Sequence, residues 1–302
     1  MFNMQIFSTK TNKPHAYQFG EYQNQLAFNP VEIAISSDAK TWQSCFDIED
    51  LNNIYLMEFD WLSPVKGDTY SALGTRNGQV LTSSRYDQRD LTLNFYAMLR
   101  DEVDQKLAIK AITDYFASSQ PYWITFDNAG YRMYQVMFKS MTPTYIGDKY
   151  MTISVVLNNL TGVSQSVVSS LNLQNEMAYG LGFDGLQSMN YSFNSDSFTV
   201  YNAGDIEIDP VIQNDYLILT IKAQGKPSIT NTDTGDVFAF NNDTDTSHVI
   251  TLNGVNPFLD GKNCGSQTNN GFIRLKQGDN HFTVSGCSDI SISFDFYFKY
   301  LN

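Results

Sequence analysis

The C-terminal end of the chain, residues 288–301, alternates between apolar and polar side chains with one interruption. The apolar residues are Ile290, Ile292, Phe294, Phe296, Phe298 and Tyr300. Side chains along a β-strand point alternately to opposite faces, so the pattern predicts a long, half-buried strand. Just before it, residues 272–275 and 281–284 flank a turn with a central glycine at 277–280, which predicts a β-hairpin. A C-terminus committed to a β-framework favours a scaffold protein over an enzyme.

Length and composition favour two folded domains rich in β-structure. The chain has 302 residues, which is long for a single small core, and 42% of them are hydrophobic. Its 21 Phe and 18 Tyr are side chains that β-sheets favour. We therefore expect a mainly β protein with little disorder.

The charge of the chain excludes several classes of partner. The net charge is −13, and residues 161–302 hold 6 Lys and Arg against 15 Asp and Glu. A surface that binds polyanions needs clustered basic side chains, and the sequence has no such cluster. We therefore expect neither nucleic acid nor a membrane as a partner.

Cysteine usage and the N-terminal residues predict synthesis in a reducing cytoplasm. The three cysteines, Cys45, Cys264 and Cys287, have no paired spacing, and burial as small apolar side chains is the favoured interpretation. Residues 1–14 lack the apolar run of a signal peptide, and no apolar segment reaches membrane-spanning length.

The first half of the chain predicts an α+β domain over residues 1–164, with one helix on a sheet. Segments rich in apolar, β-branched or aromatic residues predict strands at 31–35, 54–59, 91–96, 122–126, 131–139 and 150–158. Residues 67–86 are polar and contain glycines, which predicts either a long hairpin or an extended loop.

The predicted helix begins after Asp101, a good N-cap, with Glu102 and Asp104 in its first turn. Its apolar stripe consists of residues recurring every four positions, with others beside them: Val103, Leu107, Ala111, Tyr115, Ala108, Ile112 and Phe116. If this stripe packs on the sheet, Leu107→Ala should cost about 2–5 kcal/mol of stability.

The second half predicts a β-sandwich domain over residues 165–302. An uncharged junction at 161–170 separates it from the first domain. Residues 171–194 contain Gly180, Gly182 and Gly185 and are expected to form a connector or an arm. The following segments predict only strands, at 198–201, 216–222, 237–240 and 248–252.

A search for reactive groups predicts no catalytic, cofactor-binding or metal-binding residues. The three histidines, His15, His248 and His281, are far apart and have no ligand-like spacing. Nucleophile elbows, phosphate-binding loops and zinc-protease motifs are absent from the sequence, and the glycines at 180–185 lack a preceding strand and a following helix. The sequence therefore argues against an enzyme.

One acidic cluster resembles the spacing of a calcium-binding loop. Asn241, Asp243 and Asp245 alternate, but Thr246 and Leu252 stand where such a loop needs Gly and Glu. A hairpin turn rich in Asn, Asp and Thr is the favoured interpretation.

A second acidic cluster alternates at Asp205, Glu207 and Asp209, which would place three carboxylates on one face of a strand. Paired carboxylates serve glycoside hydrolysis when they occupy a cleft with different environments, so that possibility is open. A solvated outer face is the favoured interpretation.

Carbohydrate binding is also open. Aromatic rings commonly stack on sugars, but Trp42, Trp61 and Trp123 all lie in the first half. In the second half, Tyr297 and numerous Asn residues leave room for a sugar site that no motif marks.

The order of motifs resembles the distal tail proteins of long-tailed bacteriophages. In the first half, the glycine-containing loop SALGTRNG precedes the strand RDLTLNFYA, the helix DEVDQKLAIKAITDYF and the strand PYWITFDNAGYRMYQVMF. In the second half, YNAGDIEIDPVI resembles the family's Asn-x-Gly and Pro segment, and GFIRLKQGDNHFTVSG resembles its closing Leu-x-x-Gly-x-Asn segment.

This resemblance implies a virion protein of the tail tip, assembled in the host cytoplasm. The family's first domain is related to tail-tube proteins and forms a hexameric ring, and its second is a galectin-like β-sandwich. The ring joins the tail tube to the tail-tip protein and often anchors receptor-binding proteins. The long, low-charge segment 67–86 is our candidate for the ring contact. The alternative is a carbohydrate-binding adhesion module that contacts the bacterial cell wall.

Overall fold

The computed structural model describes residues 5–11, 13, 26, 28–59, 64–173 and 189–301. The described chain is mainly antiparallel β-structure with one α-helix, as the sequence predicts. It divides into two compact units: Met1–Ser164 with the C-terminal Leu301–Asn302, and Gln165–Tyr300.

The first unit is built on an antiparallel sheet whose main path runs through seven strands in the order β2-β1-β7-β8-β9-β6-β3. The strands of this unit are β1 (Ile33–Ser36), β2 (Gln43–Ser44), β3 (Ile54–Phe59), β4 (Thr69–Ser71), β5 (Val80–Ser83), β6 (Arg89–Met98), β7 (Tyr122–Phe126), β8 (Arg132–Ile146) and β9 (Tyr150–Asn159). Short 3-10 helices span Cys45–Asp47, Glu49–Leu51 and Asp127–Ala129. Strands β4 and β5 form a separate two-stranded hairpin.

The core of this unit lies on one face of the sheet. Alternate residues of β6 and β9 are buried there, as the predicted alternation at 91–96 requires. Phe59 stacks on Phe126, with ring centroids 3.9 Å apart, and Phe126 is fully buried. Burial of one such side chain contributes roughly 1.5–3 kcal/mol.

Helix α1 (Glu102–Phe116) covers that core and begins where the sequence predicts. The Asp101 carboxylate accepts hydrogen bonds from the backbone N–H groups of Val103 and Asp104, at 2.9 and 3.0 Å. Such an N-cap typically contributes about 1 kcal/mol.

The predicted apolar stripe is partly wrong. Val103 and Leu107 are 62% and 58% exposed, whereas the buried side chains are Gln105, Ala108, Ile112, Tyr115 and Phe116. A helix turns every 3.6 residues, so a series spaced by four drifts about 40° around the axis at each step. The series that ends inside at Tyr115 therefore starts about 120° away at Val103, and Leu107 does not pack on the sheet.

The second unit is an antiparallel sheet with the order β11-β18-β13-β15-β16-β17, in which β12 also pairs with β18 and β14 with β13. Its strands are β10 (Ser164–Ser166), β11 (Ser192–Phe193), β12 (Ser197–Asn202), β13 (Leu217–Asn231), β14 (Val237–Ala239), β15 (Ile250–Asn253), β16 (Asn256–Leu259), β17 (Lys262–Asn263), β18 (Gly278–Phe296) and β19 (Lys299–Tyr300). Strand β10 begins at Ser164, which still belongs to the first unit. Short 3-10 helices span Ser170–Asn172 and Gly265–Gln267.

The two longest strands, β13 and β18, pair along most of their length and have irregular register near Gly225 and Gly286. Both glycines have positive φ, at 115° and 77°. A Cβ on Gly286 would lie 2.4 Å from the carbonyl oxygen of Lys226, a distance that no side chain tolerates. Glycine is therefore required where the two strands change register.

The alternation at the C-terminal end is confirmed from Ile292 onward, whereas Ile290 is half-buried. Ile292, Phe294, Phe296, Phe298 and Tyr300 are all buried, and the polar residues between them are not. Buried aromatic rings pack edge-to-face along this row, with the Phe296 and Phe298 centroids 5.1 Å apart.

The hairpin predicted just before this strand is wrong. Residues 281–284 belong to the same continuous strand, β18, as residues 288–296. Residues 272–275 are not a strand, although Leu275 makes an isolated bridge to Ile208. The partner of His281 is Thr199 in β12, because pairing with a strand distant in sequence replaces the local hairpin.

The predicted connector or arm at 171–194 lies largely outside the described residues. The described parts are the end of the 3-10 helix Ser170–Asn172, with Leu173, and residues 189–194, which include β11. The glycines at 180–185 fall in the part that is not described.

Candidate interaction surfaces

The histidines that the structure describes make isolated pairs with carboxylates. His248 Nδ1 lies 2.6 Å from Asp260 Oδ2, and His281 Nδ1 lies 2.8 Å from Asp233 Oδ2. His15 lies outside the described residues. Among the residues that are described, no three His, Cys, Asp or Glu side chains come together as a metal site would require.

The segment with calcium-like spacing is a turn in which each polar side chain has its own role. Asp245 accepts hydrogen bonds from the backbone and hydroxyl of Ser247, and Asp243 lies 3.8 Å from Lys226. Thr244 makes an isolated bridge to Gly225. These contacts agree with the turn interpretation.

The interpretation of Asp205, Glu207 and Asp209 as a solvated strand face is wrong. The segment is not a strand, and Asp209 is buried. The Asp209 carboxylate accepts hydrogen bonds from the N–H groups of Val211 and Ile212, at 2.8 and 2.9 Å. Its role is to close a turn, because a side-chain acceptor satisfies backbone donors that have no strand partner.

Glu207 lies apart from that turn, 3.8 Å from Arg274. Burial raises the pKa of the Glu207 carboxyl, whereas the charge of Arg274 acts in the opposite direction. Asp205 is exposed at its side chain, and its backbone N–H bonds to Lys299. The three carboxylates thus have separate environments and no common face.

The two C-terminal motifs that carry the family resemblance are structural. Asn202 accepts a hydrogen bond from the N–H of Gly204, and a Cβ on Gly204 would lie 2.6 Å from the Lys299 carbonyl oxygen. Asn280 is fully buried and closes its loop through hydrogen bonds with the backbone N–H and carbonyl of Lys276, both at 2.9 Å. These residue types are therefore required by backbone geometry and not by chemistry.

All three cysteines are free thiols. Burial raises the pKa of the Cys45 thiol to about 12, so it is not a thiolate at neutral pH. Burial also raises the pKa values of Cys264 and Cys287.

The most exposed apolar segment of the first unit is the hairpin of β4 and β5, at residues 67–86. Every residue from 69 to 85 is exposed, and Arg76 is the only charged side chain between Thr69 and Ser84. Its large apolar side chains are 42–57% exposed: Tyr70, Leu73, Val80 and Leu81. An isolated two-stranded hairpin is only marginally stable in water, so these residues are suited to packing against another surface.

The base of this hairpin is closed by contacts between its own two strands. Gly67 N–H donates to the Arg85 carbonyl at 2.9 Å, and Asp87 N–H donates to the Val65 carbonyl at 2.8 Å. The Lys66 ammonium lies 4.0 Å from the centroid of the Tyr86 ring. The two strands are therefore joined at residues 65–67 and 85–87, below the exposed part of the hairpin.

A second exposed apolar surface surrounds the start of α1. It consists of Val103 and Leu107 on the helix and of Tyr145, Ile146 and Tyr150 at the β8–β9 turn. Gln105 Nε2 donates to the Gly147 carbonyl at 2.9 Å, which ties that turn to the helix. We call these five residues the helix-turn surface. The sequence did not predict this surface, because the series of apolar residues spaced by four places Leu107 in the core.

No helix in the described part of the chain has both the length and the apolar character needed to cross a membrane.

Comparisons with known proteins agree with the resemblance seen in the sequence. The phage tail protein RIFT-related domain family matches residues 47–159. No curated protein sequence matches the chain. The solved structure of the phage SPP1 Dit protein (gp 19.1) matches with a TM-score of 0.62 and 11% identity, over 88% of this chain and 99% of that one. It is described as a paradigm of the hub adsorption apparatus in phages that infect Gram-positive bacteria.

Two structures of the phage P2 baseplate, in its activated conformation with Ca and with Sr, match more weakly. Each has a TM-score of 0.36, with 6% and 7% identity, over 88% of this chain and 97% of the matched chain. A likeness at that level has no bearing on the fold or function of this chain. The family match and the solved structure confirm the predicted resemblance: residues 47–159 match the phage tail protein RIFT-related domain family, and the chain has the fold of the phage SPP1 Dit protein.

Proposed function

We propose that this chain is the structural hub of a phage tail tip or baseplate, without enzymatic activity. Copies of the first unit form a hexameric ring in the virion. The ring links the tail tube to the tail-tip protein and to receptor-binding proteins. The phage tail domain at residues 47–159 and the likeness to a hub protein support this role.

The observation that carries the ring is the exposed, nearly uncharged hairpin of β4 and β5. It shares no residue with the helix-turn surface, a second exposed apolar surface in the described part of the first unit. A contact between two different surfaces of identical copies is heterologous, and heterologous contacts close into rings when the rotation allows. We therefore assign the hairpin of one copy to the helix-turn surface of the next.

The contact is tested with paired substitutions that remove apolar side chains without deleting backbone. Leu73→Ser with Leu81→Ser should leave a folded monomer that no longer joins rings. Leu107→Ser on the facing surface should have the same effect. The matched control is Val211→Ser with Ile212→Ser, which removes two exposed apolar side chains from the second unit.

Assembly is measured by light scattering and electron microscopy under conditions in which the wild-type protein forms rings, with the tail tube protein present if it is needed for nucleation. Rings formed equally well by both first-unit variants would contradict the assigned contact. Loss of rings in the Val211 and Ile212 variant alone would place the contact in the second unit.

A further inference from the structure

Two neighbouring rows on one face of the second unit's sheet carry little charge, and the exposed Lys222 stands in the row beside them. Paired residues on neighbouring strands share a face, so the register defines its rows. One row runs across six strands through Ser192, Ser293, Thr220, Thr251, Phe258 and Asn263. The next runs through Asp295, Ile218, Asn253 and Asn256. We call these two rows, with Tyr216 and Tyr297 at their end, the open face.

The residues of the open face are exposed or half-buried, and most carry a hydroxyl or an amide. Asp295 is the only ionisable group in the two rows. Strands lie about 4.8 Å apart, so the face presents a regular array of neutral donors and acceptors.

Two tyrosines border this array. The ring centroids of Tyr216 and Tyr297 are 5.3 Å apart, and Tyr216 is 43% exposed. The Tyr216 hydroxyl donates to Asp295 Oδ2 at 2.9 Å, which fixes the orientation of the ring. The site thus combines a positioned aromatic ring with a field of hydroxyls and amides.

Charge decides between classes of ligand. Residues 161–302 hold 15 acidic and 6 basic side chains, so polyanionic polymers are repelled. A protein partner of ordinary affinity would need an apolar centre, and the two rows contribute only Ile218 and Phe258 to one. A neutral polyhydroxylated ligand suits this surface, because the two rows carry little charge and present many hydroxyl and amide groups.

We propose that the open face binds a neutral saccharide, with a sugar ring against Tyr216 and its hydroxyls bonded to Asn253 and Thr220. This site is independent of the ring contact, because all of its residues lie in the second unit. Its failure would leave the hub proposal intact.

The test uses the full-length protein and saturation-transfer NMR with neutral oligosaccharides of N-acetylglucosamine, galactose or rhamnose, followed by titration of those that bind. Tyr216→Ala should weaken binding about tenfold or more, as loss of a central aromatic contact does. Tyr216→Phe keeps the ring and should retain most of the affinity. Tyr201→Ala is the matched control, because Tyr201 is 36% exposed on β12, outside the open face.

Circular dichroism checks that each variant is folded. Binding that disappears in Tyr216→Ala and survives in Tyr216→Phe and Tyr201→Ala would support the site. The proposal is overturned if none of the oligosaccharides binds, or if Tyr216→Ala binds as tightly as the wild type.

Discussion

Arg274 binds Asp236 through two guanidinium nitrogens, Nε and Nη2, at 3.0 and 2.9 Å from the two carboxylate oxygens. The backbone N–H of Arg274 also donates to Asp236 Oδ2, at 3.0 Å. The Asp236 side chain is only 8% exposed. This pair holds residues 272–275 in place before β18. The local sequence predicted that these residues form one strand of a hairpin.

Removing Arg274 leaves the Asp236 carboxylate buried without its cation, so Arg274→Ala should destabilise the protein by about 2–4 kcal/mol. The control is Lys226→Ala, whose exposed pair with Asp243 spans 3.8 Å and should cost less than about 1 kcal/mol. Urea unfolding followed by far-ultraviolet circular dichroism measures both. Equal losses in the two variants would mean that the Arg274 pair has no special role.

The burial pattern of α1 predicts opposite outcomes for two neighbouring apolar residues. Ile112 is 1% exposed, so Ile112→Ala should cost about 2–5 kcal/mol. Leu107→Ala should cost less than about 1 kcal/mol, because the side chain is already in solvent. Thermal unfolding of the two variants under conditions in which the protein is monomeric distinguishes this account from the sequence-based stripe. A larger loss at Leu107 than at Ile112 would reverse the assignment of the helix faces.

Substituting two glycines that have nearly equal positive φ distinguishes the cost of backbone strain from the cost of a steric clash. Gly235 has φ 76° and open space around its missing Cβ, so Gly235→Ala should cost about 1 kcal/mol through strain alone. Gly286 has φ 77° and the Lys226 carbonyl in the way, so Gly286→Ala should cost several times more. Unfolding midpoints in urea give the comparison, and equal shifts would show that the strands adjust around the new methyl group.

The contact between His248 and Asp260 should be sensitive to pH. The hydrogen bond and charge of Asp260 raise the pKa of His248. A raised folded-state pKa stabilises the fold below the unfolded value of about 6.5, and the effect is lost as pH rises through the folded-state pKa. An NMR titration of His248 should therefore give a pKa above that of the same residue in Asp260→Asn. An unchanged pKa in that variant would show that the pair does not form in solution.

The second unit should fold without the first. Its long strands β13 and β18 pair with each other, and its described core side chains include fully buried Phe238, Phe294 and Phe296. A fragment of residues 165–302 is expected to give a β-type circular dichroism spectrum and a cooperative unfolding transition. A random-coil spectrum would show that the first unit is required.

Elements with a simple period could be predicted from the sequence. The alternation of β6 and of residues 290–300, and the Asp101 cap of α1, depend on local geometry that a few residues specify. The helix face was misassigned because a spacing of four approximates 3.6 only over a short distance. The consequence is visible along the series, since Val103 and Leu107 are exposed at its start and Tyr115 is buried at its end.

Contacts between distant segments could not be predicted from local pattern. His281 pairs with Thr199 and not with the segment directly before it, because sequence alternation does not say which strands become neighbours. Asp209 is buried for a similar reason: its carboxylate is satisfied by backbone N–H groups of a turn, which alternation along the chain does not reveal. The open face depends on the register of six strands, so only Tyr297 marked it in advance.

The hub proposal is tested most directly by electron microscopy of the purified full-length protein, alone and with the tail tube protein. The account predicts closed rings of six copies for the wild type. It predicts folded monomers for a variant lacking residues 72–82, which removes the end of the β4–β5 hairpin and leaves the hydrogen-bonded base. Wild-type protein that stays monomeric even with the tail tube protein would contradict the account, as would rings that persist in the deletion variant.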